Sequence, residues 1–120
     1  MSDAPTGNPM TLSAEDAKLV TLARAARARS GTAEGAAVRD GDGRTYAGSS
    51  VALPSLSLTA LQVAVASAVN GGTGTIEAAV VVSGSGSLDA AGRSAVHDVS
   101  PGAHIHLALP SGDVVATYAD

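Results

Sequence analysis

The chain has 120 residues, 45% of them apolar and 15% charged, with a net charge of −4; it is long enough for one modest core and too apolar for a disordered acidic chain. It holds no Cys, Phe or Trp, and its only aromatic residues are Tyr46 and Tyr118, which excludes a disulfide scaffold, a thiolate zinc site, a cysteine nucleophile and an iron–sulfur centre and leaves little aromatic surface for stacking on bases or sugars. The negative balance is the wrong sign for a surface that grips phosphate backbones, so nucleic acid is not an expected partner.

Met1 to Met10 holds Pro5, Gly7 and Pro9 but neither the basic start nor the apolar run of a signal peptide. It reads as a disordered leader, residues 1–10, ahead of a single domain at 11–120. The longest wholly apolar run, Ala78 to Val82, is far short of the ~20 residues a membrane helix needs. No membrane partner is expected, and the cytoplasm is the expected location.

Thr11 to Arg29 reads as the first helix. Ser13 is its N-cap, and Glu15 and Asp16 fall in the first turn, where the helix dipole favours carboxylates. Leu12, Leu19, Val20, Leu22, Ala23 and Ala26 form an apolar stripe. Arg24, Arg27 and Arg29 come late and read as solvated helix-end cations rather than an anion patch. Ser30-Gly31 stops the helix. Ala33 to Arg39 reads as a buried strand, Asp40-Gly41-Asp42-Gly43 as a hairpin turn, and Arg44 to Val51 as the returning strand. The Asp-Gly pairs lack the downstream oxygen ligands and closing Glu of a calcium loop.

After Pro54 the pattern predicts a helix from Ser57 to Val69. Leu58, Leu61, Val65 and Val69 share a face, with Ala64 and Ala68 beside them, and the near absence of charge predicts burial on most sides. Asn70-Gly71-Gly72 supplies a left-handed exit. Thr75 to Ser83 reads as a fully buried central strand, and Ser83-Gly84-Ser85-Gly86 as a flexible connector without the ending of a phosphate loop. A third helix is expected from Asp89 to Val99, capped by Ser87 or Asp89 and closed by Ser100-Pro101-Gly102. His104 to Leu109 and Val114 to Tyr118 read as strands around a turn at Pro110 to Asp113. Helices interleaved with short buried strands imply a layered α/β domain with a mixed sheet.

His104 and His106 are two apart on a strand and so point to one face. With a carboxylate such as Asp98 they offer imidazole nitrogens to zinc. Spacing places no third ligand, and an exposed strand face is the simpler reading. No Gly-x-Ser-x-Gly elbow occurs, and no Asp or Glu is set up with a His for nucleophilic work.

Glu34-Gly35-Ala36-Ala37-Val38, followed by Asp42-Gly43-Arg44-Thr45-Tyr46-Ala47-Gly48, resembles the opening hairpin of the small cytidine deaminases. That family reads V-G-A-A-L and then D-G-x-x-Y-x-G at the same separation. The helix, Gly-Gly exit and Val-rich strand that follow continue the resemblance from about Ala14 to Tyr118. It implies an α/β/α sandwich with a five-stranded mixed sheet, assembled into dimers or tetramers. It also implies zinc held at the facing N-termini of two helices by C-A-E (or H-A-E) and P-C-x-x-C, with the Glu shuttling protons.

Carried over, C-A-E falls on Thr59, Ala60 and Leu61. The P-C-x-x-C-R-Q run falls on Leu88, Asp89, Ala90, Ala91, Gly92, Arg93 and Ser94. The three ligand positions are thus Thr59, Asp89 and Gly92, the shuttle is Leu61, and only Arg93 survives from the signature. The sugar-binding N-x-E falls on Ser50, Val51 and Ala52. The expectation is a non-catalytic homologue without zinc or other cofactor, working as a homo-oligomeric interaction or scaffold module. One alternative is a nucleoside- or anion-binding module that uses a remnant pocket of Ser50, Thr59, Leu61, Asp89, Gly92 and Arg93. Another is a deaminase-type hydrolase with a site rebuilt around His104 and His106.

Overall fold

The computed structural model describes residues 12–119; the leader expected at residues 1–10 lies outside them. Helix α1 spans Ala14–Ser30 and starts where Ser13 Oγ accepts the Asp16 N–H at 3.1 Å. It ends at Gly31, whose φ of 69° is left-handed and whose N–H reaches the Arg27 carbonyl. Strands β1 (Glu34–Asp40) and β2 (Thr45–Ser49) form the expected hairpin. At its turn Asp40 is buried, and its Oδ1 accepts the N–H groups of Asp42 and Arg44, both at 2.9 Å. That carboxylate closes the turn itself, which is a structural use of the Asp-Gly run.

The chain then departs from expectation. Instead of entering a helix at Ser57 it makes a short hairpin, β3 (Val51–Leu53) with β4 (Leu56–Leu58). Helix α2 begins only at Ala60 and runs to Asn70. The period-two spacing of Leu56 and Leu58 suits a strand, whereas helix nucleation waits for the Thr59/Gln62 capping box. Val69, placed on the buried face by the helical pattern, is 51% exposed. The left-handed exit falls at Gly72, with φ 94°, while Gly71 stays right-handed. Strand β5 (Ile76–Ser83), helix α3 (Ala90–Val99), β6 (His104–Ala108) and β7 (Val114–Tyr118) follow as expected to within a residue or two.

The main sheet has the order β2-β1-β5-β6-β7. Only β5 and β6 pair in parallel, with Ala78 opposite His104 and Val80 opposite His106; the other three pairings are antiparallel. Side chains alternate across it. Ala37, Ala78, Val80, Val82 and Ala108 meet α1 through Leu19, Val20 and Ala23. Ala36, Val38, Ala79, Val81, Ile105 and Leu107 meet α2 and α3 through Leu61, Ala64, Val65 and Val96. The architecture is therefore the expected α/β/α sandwich around a five-stranded mixed sheet.

Two of the three motif glycines, Gly35 and Gly48, are contact points. A β-carbon at Gly35 would lie 2.6 Å from the Arg27 amide nitrogen of α1, and one at Gly48 would lie 2.9 Å from the Ala64 amide nitrogen of α2. Each helix rests its backbone on a strand through a residue with no side chain. Among the described residues, no helix is long and apolar enough to cross a membrane.

Candidate functional site

Helices α2 and α3 bring their N-termini together on one face of the sheet. Thr59 caps α2: its Oγ1 accepts the Gln62 N–H at 3.1 Å, and its own N–H donates to Gln62 Oε1 at 3.0 Å. Asp89, not Ser87, caps α3, and its Oδ2 accepts the Gly92 N–H at 2.6 Å. Its Oδ1 is buried without a hydrogen-bond partner. Leu61 is fully buried between the two helix starts, and a β-carbon on Gly92 would sit 2.7 Å from the Leu61 Cβ. The structure thus brings Leu61, Asp89 and Gly92 into contact, with Thr59 on the adjoining cap. Arg93 lies on the first turn of α3, with its guanidinium carbon 4.8 Å from the centroid of the Tyr118 ring.

Ser50 follows β2. It lines an open cleft of about 410 Å³ with Arg27, Glu34, Ser83 and Ser85. The expected flexible connector here is held by hydroxyls: Ser83, buried, pairs with Ser85 at 2.9 Å, and Ser85 with Ser87 at 3.2 Å. Burial pushes the Glu34 carboxyl above its ordinary range; a hydrogen bond from Ser83 opposes the rise and the nearby Asp89 carboxylate adds to it. Glu34 therefore links the cleft electrostatically to the start of α3. Of the late α1 arginines, Arg24 and Arg27 donate to the carbonyls of Pro110 and Ala33, each at 3.0 Å. They tie loops down.

The His pair is not an exposed strand face. His104 is exposed, but His106 is only 5% exposed and lies under α1. Its Nε2 is 2.9 Å from Asp16 Oδ2 and its Nδ1 is 2.8 Å from Thr117 Oγ1. Asp98 sits on α3, across the sheet, so the notional zinc trio is divided between two faces. Among the described residues, no group of three His, Cys, Asp or Glu is placed to share a metal ion. Sequence reasoning missed the Asp16–His106–Thr117 chain, since the first two are 90 positions apart and Asp16 had a sufficient role as a first-turn carboxylate.

A family model described as cytidine deaminase-like matches residues 12–112. The crystal structure of cytidine deaminase from Burkholderia pseudomallei is 26% identical with a TM-score of 0.75, the match covering 85% of this chain and 90% of that one. The crystal structure of cytidine deaminase from Mycobacterium leprae is 27% identical with a TM-score of 0.65, covering 82% and 89%. No curated protein matches the chain in sequence.

Proposed function

The chain belongs to the cytidine deaminase-like family, and we propose that within it this protein carries no deaminase chemistry and works in the cytoplasm as a homo-oligomeric interaction module. The observation that carries the first half is the contact between Leu61 and Gly92. Zinc sites need three or four nitrogen, sulfur or oxygen ligands. At the positions to which the sequence resemblance assigns them, the Thr59 hydroxyl accepts a cap hydrogen bond, Gly92 has no side chain, and Asp89 keeps one unpartnered oxygen. Leu61 stands where the proton shuttle would be, and its side chain is wholly buried at the junction. This set does not fit zinc. Without a hydroxide source or an acid–base group, the deamination step has no agent.

The second half rests on the β3–β4 hairpin. It is a two-stranded sheet apart from the main one, and such a hairpin is marginal in water by itself. Leu53 and Leu56 are 59% and 49% exposed on it. No charged residue occurs between Arg44 and Glu77. Two copies of a chain carrying −4 repel least where they meet through uncharged surface. Sedimentation equilibrium is expected to give a dimer or tetramer, and the double variant Leu53→Asp, Leu56→Asp a folded monomer. A monomeric parent protein at micromolar concentration would end the oligomer reading.

A second reading has its own observation. The cleft beside Ser50 carries Arg27, Glu34 and two serine hydroxyls, a lining suited to a hydroxylated or anionic small molecule such as a nucleoside. A rise in melting temperature with nucleosides or nucleotides that Ser50→Ala and Glu34→Ala abolish is the expected result. A flat panel removes the reading.

A further inference from the structure

Asp16 sits in the first turn of α1, yet its side chain turns inward to the sheet. Its Oδ1 meets the Arg39 guanidinium at 2.9 Å, and Arg39 in turn holds Glu77 at 2.9 Å. Its Oδ2 meets His106 Nε2, and the opposite ring nitrogen of His106 meets Thr117 Oγ1. Thr117 is the cross-strand partner of His106 on β7, one of the two edge strands of the sheet. Thr117 is exposed while His106 is buried. A carboxylate–imidazole pair inside the molecule therefore ends on a hydroxyl at its surface. Exposed His104 stands edge-on beside it, the two imidazole centroids 6.5 Å apart.

An ionised carboxylate can only accept, so the His106 ring presents Nε2–H to Asp16. In the tautomer that leaves Nδ1 unprotonated, the Thr117 O–H donates to it. Arg39, paired to the other carboxylate oxygen, favours the ionised form of Asp16. With both ring nitrogens engaged the imidazole plane is fixed, which is the arrangement an activated hydroxyl requires.

We propose that Thr117 is the nucleophile of an acyl-accepting site on the α1 face, with His106 as its general base and Asp16 as the positioning residue. The site stands on the opposite face of the sheet from the α2–α3 junction and does not rest on the reading of that junction. An exposed edge strand suits small activated acyl donors, esters or thioesters with a good leaving group. Thr117 Oγ1 bonds to the acyl carbon while its proton passes to His106 Nδ1. The bond from that carbon to the leaving oxygen or sulfur breaks, and the leaving group takes the proton from His106. Water, deprotonated by the same nitrogen, then converts acyl-Thr117 to free hydroxyl and carboxylic acid.

The test uses the full chain and 4-nitrophenyl acetate, with nitrophenolate release followed over time and the acetyl group located by tandem mass spectrometry. Thr117 is expected to be acetylated on the order of 10²-fold faster than exposed Thr45, the range a positioned general base supplies. Thr117→Val should lose the adduct with circular dichroism unchanged, and Thr117→Ser should keep it. In folded Asp16→Asn the Thr117 labelling rate should fall with circular dichroism unchanged, and Asp16→Glu should restore part of it; a merely structural role for Asp16 would lower labelling only where the fold is lost. Acetyl found only on Lys18 or His104, or Thr117 labelled no faster than Thr45, would overturn the proposal.

Discussion

Gly35→Ala is expected to bring the protein close to unfolding, with a loss of about 3–5 kcal/mol, the upper end for single substitutions. A β-carbon there would lie 2.6 Å from the Arg27 amide nitrogen and 2.9 Å from the Arg27 Cβ, and would run into the Ala23 carbonyl oxygen. Two of these atoms are helix backbone and cannot rotate aside. The strand cannot retreat either, since Gly35 is paired to Ser49 on one side and Val82 on the other. Relief requires α1 to lift from the sheet, exposing Leu19, Val20 and Ala23, which are buried beneath it. Domains of this size have about 5–15 kcal/mol in total. Gly43→Ala is the control: its β-carbon meets nothing within 4 Å, though φ is 87°, so about 1 kcal/mol of backbone strain is expected. Urea titration of both variants decides the matter. Equal small losses would mean that α1 does not press on Gly35 as described.

Asp16→Asn is the second large effect, about 2–3 kcal/mol near neutral pH, at or just below the bottom of the range of about 3–5 kcal/mol for breaking a buried ion pair because the Asp16 side chain keeps 16% exposure. The substitution leaves Arg39 and His106, both under α1, facing a neutral amide. Burial by itself would raise the Asp16 carboxyl, but the hydrogen bonds and charges of His106 and Arg39 outweigh it and hold the group below its ordinary value of 3.8. A carboxyl depressed in the folded state contributes stability that is full above the unfolded value and is lost as pH falls through the folded value. The gap between parent and variant should therefore be widest above about pH 5 and close progressively below about pH 4. A gap that is constant from neutral to acid pH would show that the carboxylate charge is not what ties α1 to the sheet.

What could be read in advance follows from how local each signal is. Ser13 as a cap, Asp89 as one of two candidate caps, the Asp-Gly hairpin and the Val-rich strand β5 are settled within a few residues, and the structure has them where the pattern puts them. The β3–β4 hairpin escaped because Ser57 and Leu58 fit a helical and a strand period equally well over so short a run. At the α2–α3 junction the aligned positions Leu61, Asp89 and Gly92 meet, and Ser50 lines the cleft that Glu34 shares. Where Ser50 sits depends on where the hairpin sends the chain, which no spacing within the sequence states. The Asp16–His106–Thr117 chain was the least legible feature. It joins the first helix to the last two strands, and each residue had a sufficient local explanation by itself.

On the function proposed above, this member of the cytidine deaminase-like family lacks the donors for a deaminase metal centre. Elemental analysis of untagged protein, purified without chelators and assayed in parallel for cytidine turnover, tests it most directly. The prediction is zinc near zero per chain and no ammonia released from cytidine or deoxycytidine. One tightly held zinc per chain, lost together with turnover when Asp89 is changed to Ala, would contradict the account and place a working metal site at the start of α3.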